Sequence, residues 1–129
     1  MDQPEFLTRE IIGQLHADSL YKFGGSAGIR DEGMVLSALG SAENTWLYGR
    51  GDLFEVAASY AFHIAEAQAF VDGNKRTAVA AALTFLTGNG IEIPIGADEA
   101  IYRAMIGIAN KELDKSGLTR LFREIAEAK

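Results

Sequence analysis

Two alanine-rich apolar segments joined by one short charged loop constrain the fold of this chain most strongly. They span residues 52–69 and 74–88, and in each the apolar residues recur at helical spacing on most sides. The first begins with Asp52 and Glu55, whose spacing resembles a capping box. A helix that is apolar on most sides is buried, and alanine side chains let two such helices pack closely. The sequence therefore predicts two central helices that hold the intervening loop in a fixed geometry.

Capping residues and glycine breaks predict four further helices around this pair. The first follows Thr8, and the second follows Asp31 and reaches about Ala42. A third follows the expected cap Asp98, and the last occupies the C-terminal residues after a break at 114–117. The residues expected to face the core from the first two helices are Ile11, Ile12, Leu15, Met34, Val35, Ala38 and Leu39.

The remaining segments are predicted to be connections. Residues 24–30 are rich in glycine and form either a mobile flap or a plain interhelical connection, and the local sequence alone favours the connection. Residues 41–51 are expected to be irregular, and residues 91–95 extended, as in half of a small edge hairpin. The predicted fold is all-α, with about six helices in a single domain over residues 1–129.

Composition argues against several classes of protein. The net charge of −6 disfavours nucleic acid as the main partner, because phosphate backbones require a basic surface. The chain has no cysteine, which excludes disulfides and is compatible with a reducing cytoplasm. No apolar run approaches the roughly 20 residues that span a bilayer, and the acidic first residues are unlike a signal peptide. We therefore expect a cytoplasmic protein that binds neither nucleic acid nor membrane.

The loop between the two central segments predicts an anion-binding site. Asp72 and Gly73 form a turn that opens a helix at Asn74, whose first N–H groups lack helical partners and carry the positive end of the dipole. Lys75 and Arg76 add two positive charges, and Gly73 lets a ligand approach the backbone. Phosphate is the expected anion, and Asp72 can bind Mg²⁺ together with phosphate oxygens. Taken singly, Asp72 can also be a helix cap, Lys75 a solvated side chain, and Arg76 the partner of a helix carboxylate.

The run from Gln68 to Thr77 resembles the signature loop of the Fic/Doc (Fido) family. The Doc branch of that family has the pattern His-x-Phe-x-Asp/Asn-Gly-Asn-Lys-Arg, which is matched at the same spacing by Phe70, Asp72, Gly73, Asn74, Lys75 and Arg76. Lys75 is typical of the Doc, or death-on-curing, branch, whereas Gln68 stands where the family has its histidine. The segment Gly24-Gly25-Ser26-x-Gly28-Ile29-Arg30-Asp31 extends the resemblance, which covers nearly the whole chain.

This resemblance implies a Fido-type helical fold and a group-transfer reaction. Doc members transfer the γ-phosphoryl group of a nucleoside triphosphate such as ATP to a hydroxyl of a translation factor, elongation factor Tu, whereas Fic members transfer the nucleotidyl group (AMPylation). By resemblance, the catalytic positions are Gln68, Asp72 and Arg76, the Mg²⁺ ligand is Asp72, and the phosphate contacts are Gly73, Asn74, Lys75 and Arg76. Fic proteins often carry an inhibitory Ser/Thr-x-x-x-Glu-Gly/Asn helix. That pattern does not occur here, which implies control by a separate antitoxin-like protein, as for Doc.

Gln68 leaves three hypotheses open. A neutral amide cannot act as the general base, whose contribution is typically about 10²–10⁴ in rate, but it can orient a hydroxyl. Phosphoryl transfer depends mainly on positioning and charge stabilisation, which is compatible with residual activity. The chain is therefore a toxin-like Fido transferase with altered chemistry, a catalytically silent Fido module that binds nucleotide or a partner protein, or a helical interaction domain whose loop is structural.

Neither histidine is predicted to replace the missing base. His63 precedes Gln68 by roughly 7.5 Å along a helix and about 140° around it, so it is expected to face elsewhere as a packed or capped side chain. His16 lies in the first predicted helix without an acidic or metal-ligand pattern near it, and we expect it at the surface. Two histidines without cysteine do not form a zinc site.

Overall fold

The computed structural model describes residues 3–49 and 51–127, and within those ranges the chain is all-helical. The helices are α1 (Arg9–Phe23), α2 (Glu32–Leu47), α3 (Leu53–Ala67), α4 (Asn74–Gly88), α5 (Ala97–Ala109) and α6 (Lys115–Glu127). The all-α prediction of about six helices is thus confirmed. The predicted opening of a helix at Asn74 is also where α4 begins.

Three of the predicted N-terminal caps are present as hydrogen bonds. The side chains of Thr8 and Asp31 accept backbone N–H groups in the first turns of α1 and α2, each at 3.2 Å. At α3, Asp52 and Glu55 form a capping box, in which each side chain accepts the backbone N–H of the other residue. These bonds satisfy amide groups that a helix start would otherwise leave unpaired, and they fix where each helix begins.

The two central helices form the middle of the core. α3 packs against α2, α4 and α6, while α4 also contacts α1 and α5. Tyr60 of α3 and Phe85 of α4 are fully buried, with ring centroids 5.3 Å apart. The Tyr60 hydroxyl accepts the backbone N–H of Leu7 at 2.9 Å, and burial raises the pKa of this hydroxyl to about 12. The core therefore anchors both ends of the loop that lies between α3 and α4.

Several sequence predictions for the outer segments are wrong. Residues 43–47, expected to be irregular, continue α2, whose residue Trp46 packs partly against the core. Ile11 and Met34, expected to be buried, are 37% and 41% exposed. Both residues lie at the edge of an apolar stripe, where the neighbouring helices do not cover them.

The region before α5 also differs from expectation. Residues 91–95 form no strand, and they make no β-bridge with any residue that the structure describes. The helix α5 begins after Gly96, which has a φ of 91°, so Asp98 lies inside the first turn and is not the cap. A carboxylate in the first turn still interacts favourably with the helix dipole.

Candidate anion-binding site

The loop from Gln68 to Gly73 leaves the core and opens toward solvent at its far end. Gln68 is the C-cap of α3, with a left-handed backbone (φ 52°) and an exposed side chain. Phe70 is 2% exposed and inserts into the core. Asp72, two residues further on, is exposed. The loop thus has a buried anchor and a solvent-facing carboxylate.

The Asn74 side chain ties the end of this loop to its beginning. Its Oδ1 accepts the backbone N–H of Phe70 at 3.1 Å, and its Nδ2 donates to the Phe70 carbonyl at 3.0 Å. These paired bonds use the amide for loop structure, so the phosphate contact predicted for Asn74 would come from its backbone N–H.

The start of α4 presents backbone N–H groups that no side chain caps. Gly73, with a φ of 81°, is the N-cap and has no side chain that could accept them. The first helical hydrogen bond runs from the Thr77 N–H to the Gly73 carbonyl at 2.9 Å. The N–H groups of Asn74, Lys75 and Arg76 precede it, which is the arrangement that binds anions at a helix N-terminus. The interpretation of Asp72 as the cap is wrong, since Gly73 takes that position.

The glycine-rich segment of residues 24–31 is part of the site and not a plain connection. Ile29 forms an antiparallel bridge with Phe70, and the Val71 N–H donates to the Gly28 carbonyl at 3.1 Å. The N–H groups of Arg30 and Asp31 both donate to the Ala69 carbonyl, at 2.6 and 3.1 Å. The segment therefore runs along the loop and fixes its backbone from the side opposite the core.

The Asp72 carboxylate is held by this same segment. Its Oδ2 accepts the backbone N–H of Ser26 at 2.8 Å, which leaves Oδ1 for other ligands. Gly25 has a φ of 120°, and a Cβ at this position would lie 3.1 Å from the Asp72 Cβ and from a methyl carbon of Leu20. Glycine at position 25 thus allows the segment to approach the carboxylate closely.

His16 lies under the loop, contrary to the prediction of a surface histidine. It is 7% exposed, and its ring stacks on Phe70 with centroids 3.9 Å apart. Its Nε2 lies 2.8 Å from the backbone carbonyl oxygen of Asp72. The face of α1 that carries Ile12, His16 and Ser19 is buried, since α1 packs against α4. The helical spacing of these three residues was the signal that could have placed His16 inside.

Arg76 is positioned by two aromatic rings and an acid. Its guanidinium carbon lies 3.9 Å from the ring centroid of Phe23 and 3.6 Å from that of Tyr102. Its Nη1 donates to Glu99 Oε1 on α5 at 3.1 Å. The alternative prediction, that Arg76 pairs with a carboxylate on a helix, is therefore also confirmed. Lys75 is partly exposed and forms no ion pair with any residue that the structure describes.

A groove of about 510 Å³ begins beside Arg76. It runs between α1, α4 and residues 93–98, with apolar walls that include Leu15, Val79 and Leu83. Asp18, Lys22 and Asp98 add charged groups to its lining. The anion site and this groove are therefore adjacent and share one cation.

His63 is packed away from the loop, as predicted. It is half-buried, and its Nε2 lies 2.9 Å from the Nζ of Lys115, the first residue of α6. Burial lowers the pKa of His63, and the positive charge of Lys115 lowers it further. The Lys115 ammonium can only donate, so Nε2 accepts and the neutral ring carries its proton on Nδ1.

Within residues 3–49 and 51–127, no helix has the length and apolar character needed to cross a membrane. In the same ranges, no three His, Cys, Asp or Glu side chains lie close enough together to hold a metal ion by themselves. Any Mg²⁺ at Asp72 would therefore take its remaining ligands from substrate phosphates and water, which is how this ion is commonly bound beside a single carboxylate.

The family model described as the Fic/DOC family matches residues 6–86, a range that contains α1, α2, α3, most of α4 and the whole loop. This chain belongs to the Fic/DOC family. It is 33% identical over 123 residues to "Protein kinase doc" of Escherichia phage P1, covering 92% of this chain and 94% of that protein. It is 39% identical over 116 residues to "Toxin Doc" of Mycolicibacterium smegmatis (strain ATCC 700084 / mc(2)155), covering 85% of each. The similarity thus extends well beyond the loop.

Proposed function

We propose that this protein is a Doc-like toxin that transfers the γ-phosphoryl group of a nucleoside triphosphate to a hydroxyl of another protein. The observation that carries the proposal is the uncapped start of α4, where backbone N–H groups and the cations Lys75 and Arg76 lie beside the Asp72 carboxylate. The similarity to proteins named "Protein kinase doc" and "Toxin Doc" supports the same reaction and role.

Each residue of the loop has a distinct part in binding. The backbone N–H groups of Asn74, Lys75 and Arg76 donate hydrogen bonds to the phosphate oxygens, and the Lys75 and Arg76 side chains balance the phosphate charge. Asp72, whose Oδ1 is not used by the bond to Ser26, would hold Mg²⁺, and that ion would supply positive charge beside the phosphates. The Phe23 and Tyr102 rings pack against the guanidinium of Arg76 and fix its position. The guanidinium N–H groups that do not contact Glu99 can then donate to a phosphate oxygen.

The transfer step requires little covalent chemistry from the protein. The substrate hydroxyl oxygen attacks the γ-phosphorus, and the bond between that phosphorus and its bridging oxygen breaks. The nucleoside diphosphate leaves with the electron pair, and the hydroxyl proton passes to solvent. Gln68, in the position of the family histidine, orients the hydroxyl by a hydrogen bond but cannot take its proton. We therefore expect slow transfer that relies on positioning and charge stabilisation.

Two parts of the proposal concern partners. A toxin of this kind acts on a protein target, for which a translation factor is the candidate that the family resemblance implies. It is also controlled by an antitoxin-like protein, and the apolar groove beside Arg76 is a suitable surface through which such a chain could reach the anion site.

The second candidate function is a catalytically silent module that binds nucleotide or a partner protein. Two observations favour it. Gln68 cannot act as a general base, and Arg76 already forms an ion pair with Glu99. Nucleotidyl transfer is a further variant of the first proposal, in which the hydroxyl attacks the α-phosphorus and pyrophosphate leaves.

The first experiment measures binding of ATP–Mg²⁺ by calorimetry. Wild-type protein should bind, and Arg76→Ala should bind clearly more weakly. Arg103→Ala is the matched control, because Arg103 is exposed on α5 and forms no ion pair among the described residues. Equal affinity of all three proteins would show that the loop does not bind the nucleotide. No binding by wild type would leave the loop with a structural role only.

The second experiment tests transfer in a bacterial extract supplied with γ-labelled or α-labelled ATP. Labelling of a protein from γ-labelled ATP alone supports phosphoryl transfer, and labelling from α-labelled ATP supports nucleotidyl transfer. Asp72→Ala should abolish either signal. Nucleotide binding without any labelling would favour the silent module.

A further inference from the structure

His16 contacts the loop at three points. Its ring stacks on Phe70, and its Nε2 lies 2.8 Å from the Asp72 carbonyl oxygen. A Cβ built on Gly73 would lie 3.6 Å from His16 Cδ2 and 3.7 Å from Nε2, so the ring edge also adjoins Gly73. One buried side chain of α1 thus reaches the residues on both sides of the carboxylate.

We propose that His16 is a positioning residue of the anion site. Its Nε2–H group holds the Asp72 carbonyl and thereby fixes the turn that presents the Asp72 carboxylate and the first N–H groups of α4 to a phosphate. The ligand in this inference rests on the proposed function, whereas the positioning role can be measured without any nucleotide.

The hydrogen bond determines the tautomer of the ring. A carbonyl oxygen can only accept, so Nε2 must donate, and the neutral His16 carries its proton on Nε2. A nitrogen that donates in this way has no free lone pair, so Nε2, the ring nitrogen that faces Asp72, cannot take a substrate proton. The ring of His63 has the opposite tautomer, because its Nε2 accepts from Lys115.

Asp72 is then fixed from two directions. His16 holds its backbone carbonyl, and the Ser26 N–H holds one oxygen of its carboxylate. The two contacts come from α1 and from the segment that follows it. This arrangement matches a site in which a carboxylate has to remain at a set distance from a helix start, because small displacements of bound groups are costly in catalysis.

Two substitutions separate the hydrogen bond from the packing. His16→Gln retains an N–H donor near the position of Nε2 and removes the ring. His16→Phe retains a ring that can stack on Phe70 and removes the donor. His63→Gln and His63→Phe are matched controls, because they make the same changes on α3 at a side chain whose observed contacts are with Lys115 and Phe62.

Three measurements on the full chain give the result. Long-range ¹⁵N–¹H NMR of the wild type should show protonation of His16 at Nε2. Amide hydrogen exchange at Ser26, Phe70 and Val71, whose N–H groups are hydrogen-bonded within the site, should be faster in His16→Phe and near wild type in His16→Gln. Affinity for ATP–Mg²⁺ should fall about three- to tenfold in His16→Phe, as expected for the loss of one hydrogen bond. It should change less than about twofold in His16→Gln.

If NMR of the wild type shows the His16 proton on Nδ1 and an unprotonated Nε2, the proposal is overturned by that measurement alone. Equal exchange and affinity in His16→Phe and wild type would also overturn it, as would equal impairment of both His16 variants, which would indicate packing alone. If wild type does not bind ATP–Mg²⁺, the proposed function fails, and the tautomer and the exchange rates still decide whether His16 positions the loop.

Discussion

Glu99 Oε1 lies 3.1 Å from Arg76 Nη1, and this ion pair places a negative charge from α5 at the anion-binding end of α4. Arg76 is 19% exposed in its side chain, while Glu99 is 55% exposed. The acid therefore competes with an incoming phosphate for the same guanidinium. Because its carboxylate is largely solvated, the competition is weak enough for a phosphate to displace it.

Glu99→Gln should raise the affinity for ATP–Mg²⁺ about two- to fivefold, because an exposed ion pair contributes about 0.2–1 kcal/mol. Calorimetry measures the change. Asp98→Asn is the matched control, since Asp98 lies in the same first turn of α5 and forms no ion pair with the described residues. If both variants gain equally, net charge and not the contact with Arg76 is responsible.

Thr77→Val should raise the free energy of unfolding by about 1 kcal/mol, because the buried Thr77 hydroxyl has no hydrogen-bond partner among the described residues. In thermal unfolding this corresponds to an increase in Tm of about 4 °C. Thr119→Val is the control, since the Thr119 hydroxyl donates to the Lys115 carbonyl at 3.0 Å, and we expect no gain there. A loss of stability in Thr77→Val would mean that this hydroxyl has a partner, such as an ordered water.

His63 should make stability fall in mild acid. Its pKa in the folded state is below the ordinary value of 6.5, because burial and Lys115 disfavour the charged ring. The unfolded chain then binds more protons as the pH falls from about 6.5 toward the lowered value, so the free energy of unfolding decreases over that window. Urea unfolding of wild type and His63→Gln at several pH values tests this. The variant should show a smaller decrease, and equal slopes would contradict the prediction.

Local signals in the sequence were sufficient for the helices and for the loop. Glycine at position 73 next to a long apolar period predicted the start of α4 at Asn74, because an N-cap and a helix face are properties of neighbouring residues. Asp31 and the pair Asp52 and Glu55 likewise predicted their helix starts. Two helix ends were exceptions. α2 continues past Gly40 to Leu47, where its end depends on how Trp46 packs, and α5 begins after Gly96 instead of at Asp98.

Contacts between distant segments could not be predicted in this way. The bond between His16 and Asp72 joins residues 56 positions apart, and the pair of Arg76 and Glu99 joins residues 23 positions apart. Both depend on how α1 and α5 pack against α4, which apolar periodicity does not specify. The isolated bridge between Ile29 and Phe70 is similar, since a single pair of residues gives no alternating pattern to detect.

Gln68→His should restore a general base and raise protein labelling by a factor approaching about 10²–10⁴. Gln68 is exposed at the end of α3 and forms no side-chain hydrogen bond with the described residues, so its replacement removes no contact. Glutamine and histidine would both have to adopt the left-handed backbone conformation at position 68, so this cost is similar for the two. A protonated histidine is also tolerated at a helix C-terminus. Stability should therefore change little, and the comparison should report the chemistry.

Labelling from γ-labelled ATP measures the gain directly, and expression in bacteria gives a second readout. A revived Doc-like toxin should slow growth, and Asp72→Ala in the same background should relieve the effect. If Gln68→His folds and binds nucleotide but neither labels a protein nor slows growth, the silent module becomes the better account. If wild type already labels its target as fast as the histidine variant, Gln68 does not limit the rate. Positioning of the hydroxyl and the phosphate would then be sufficient for the reaction.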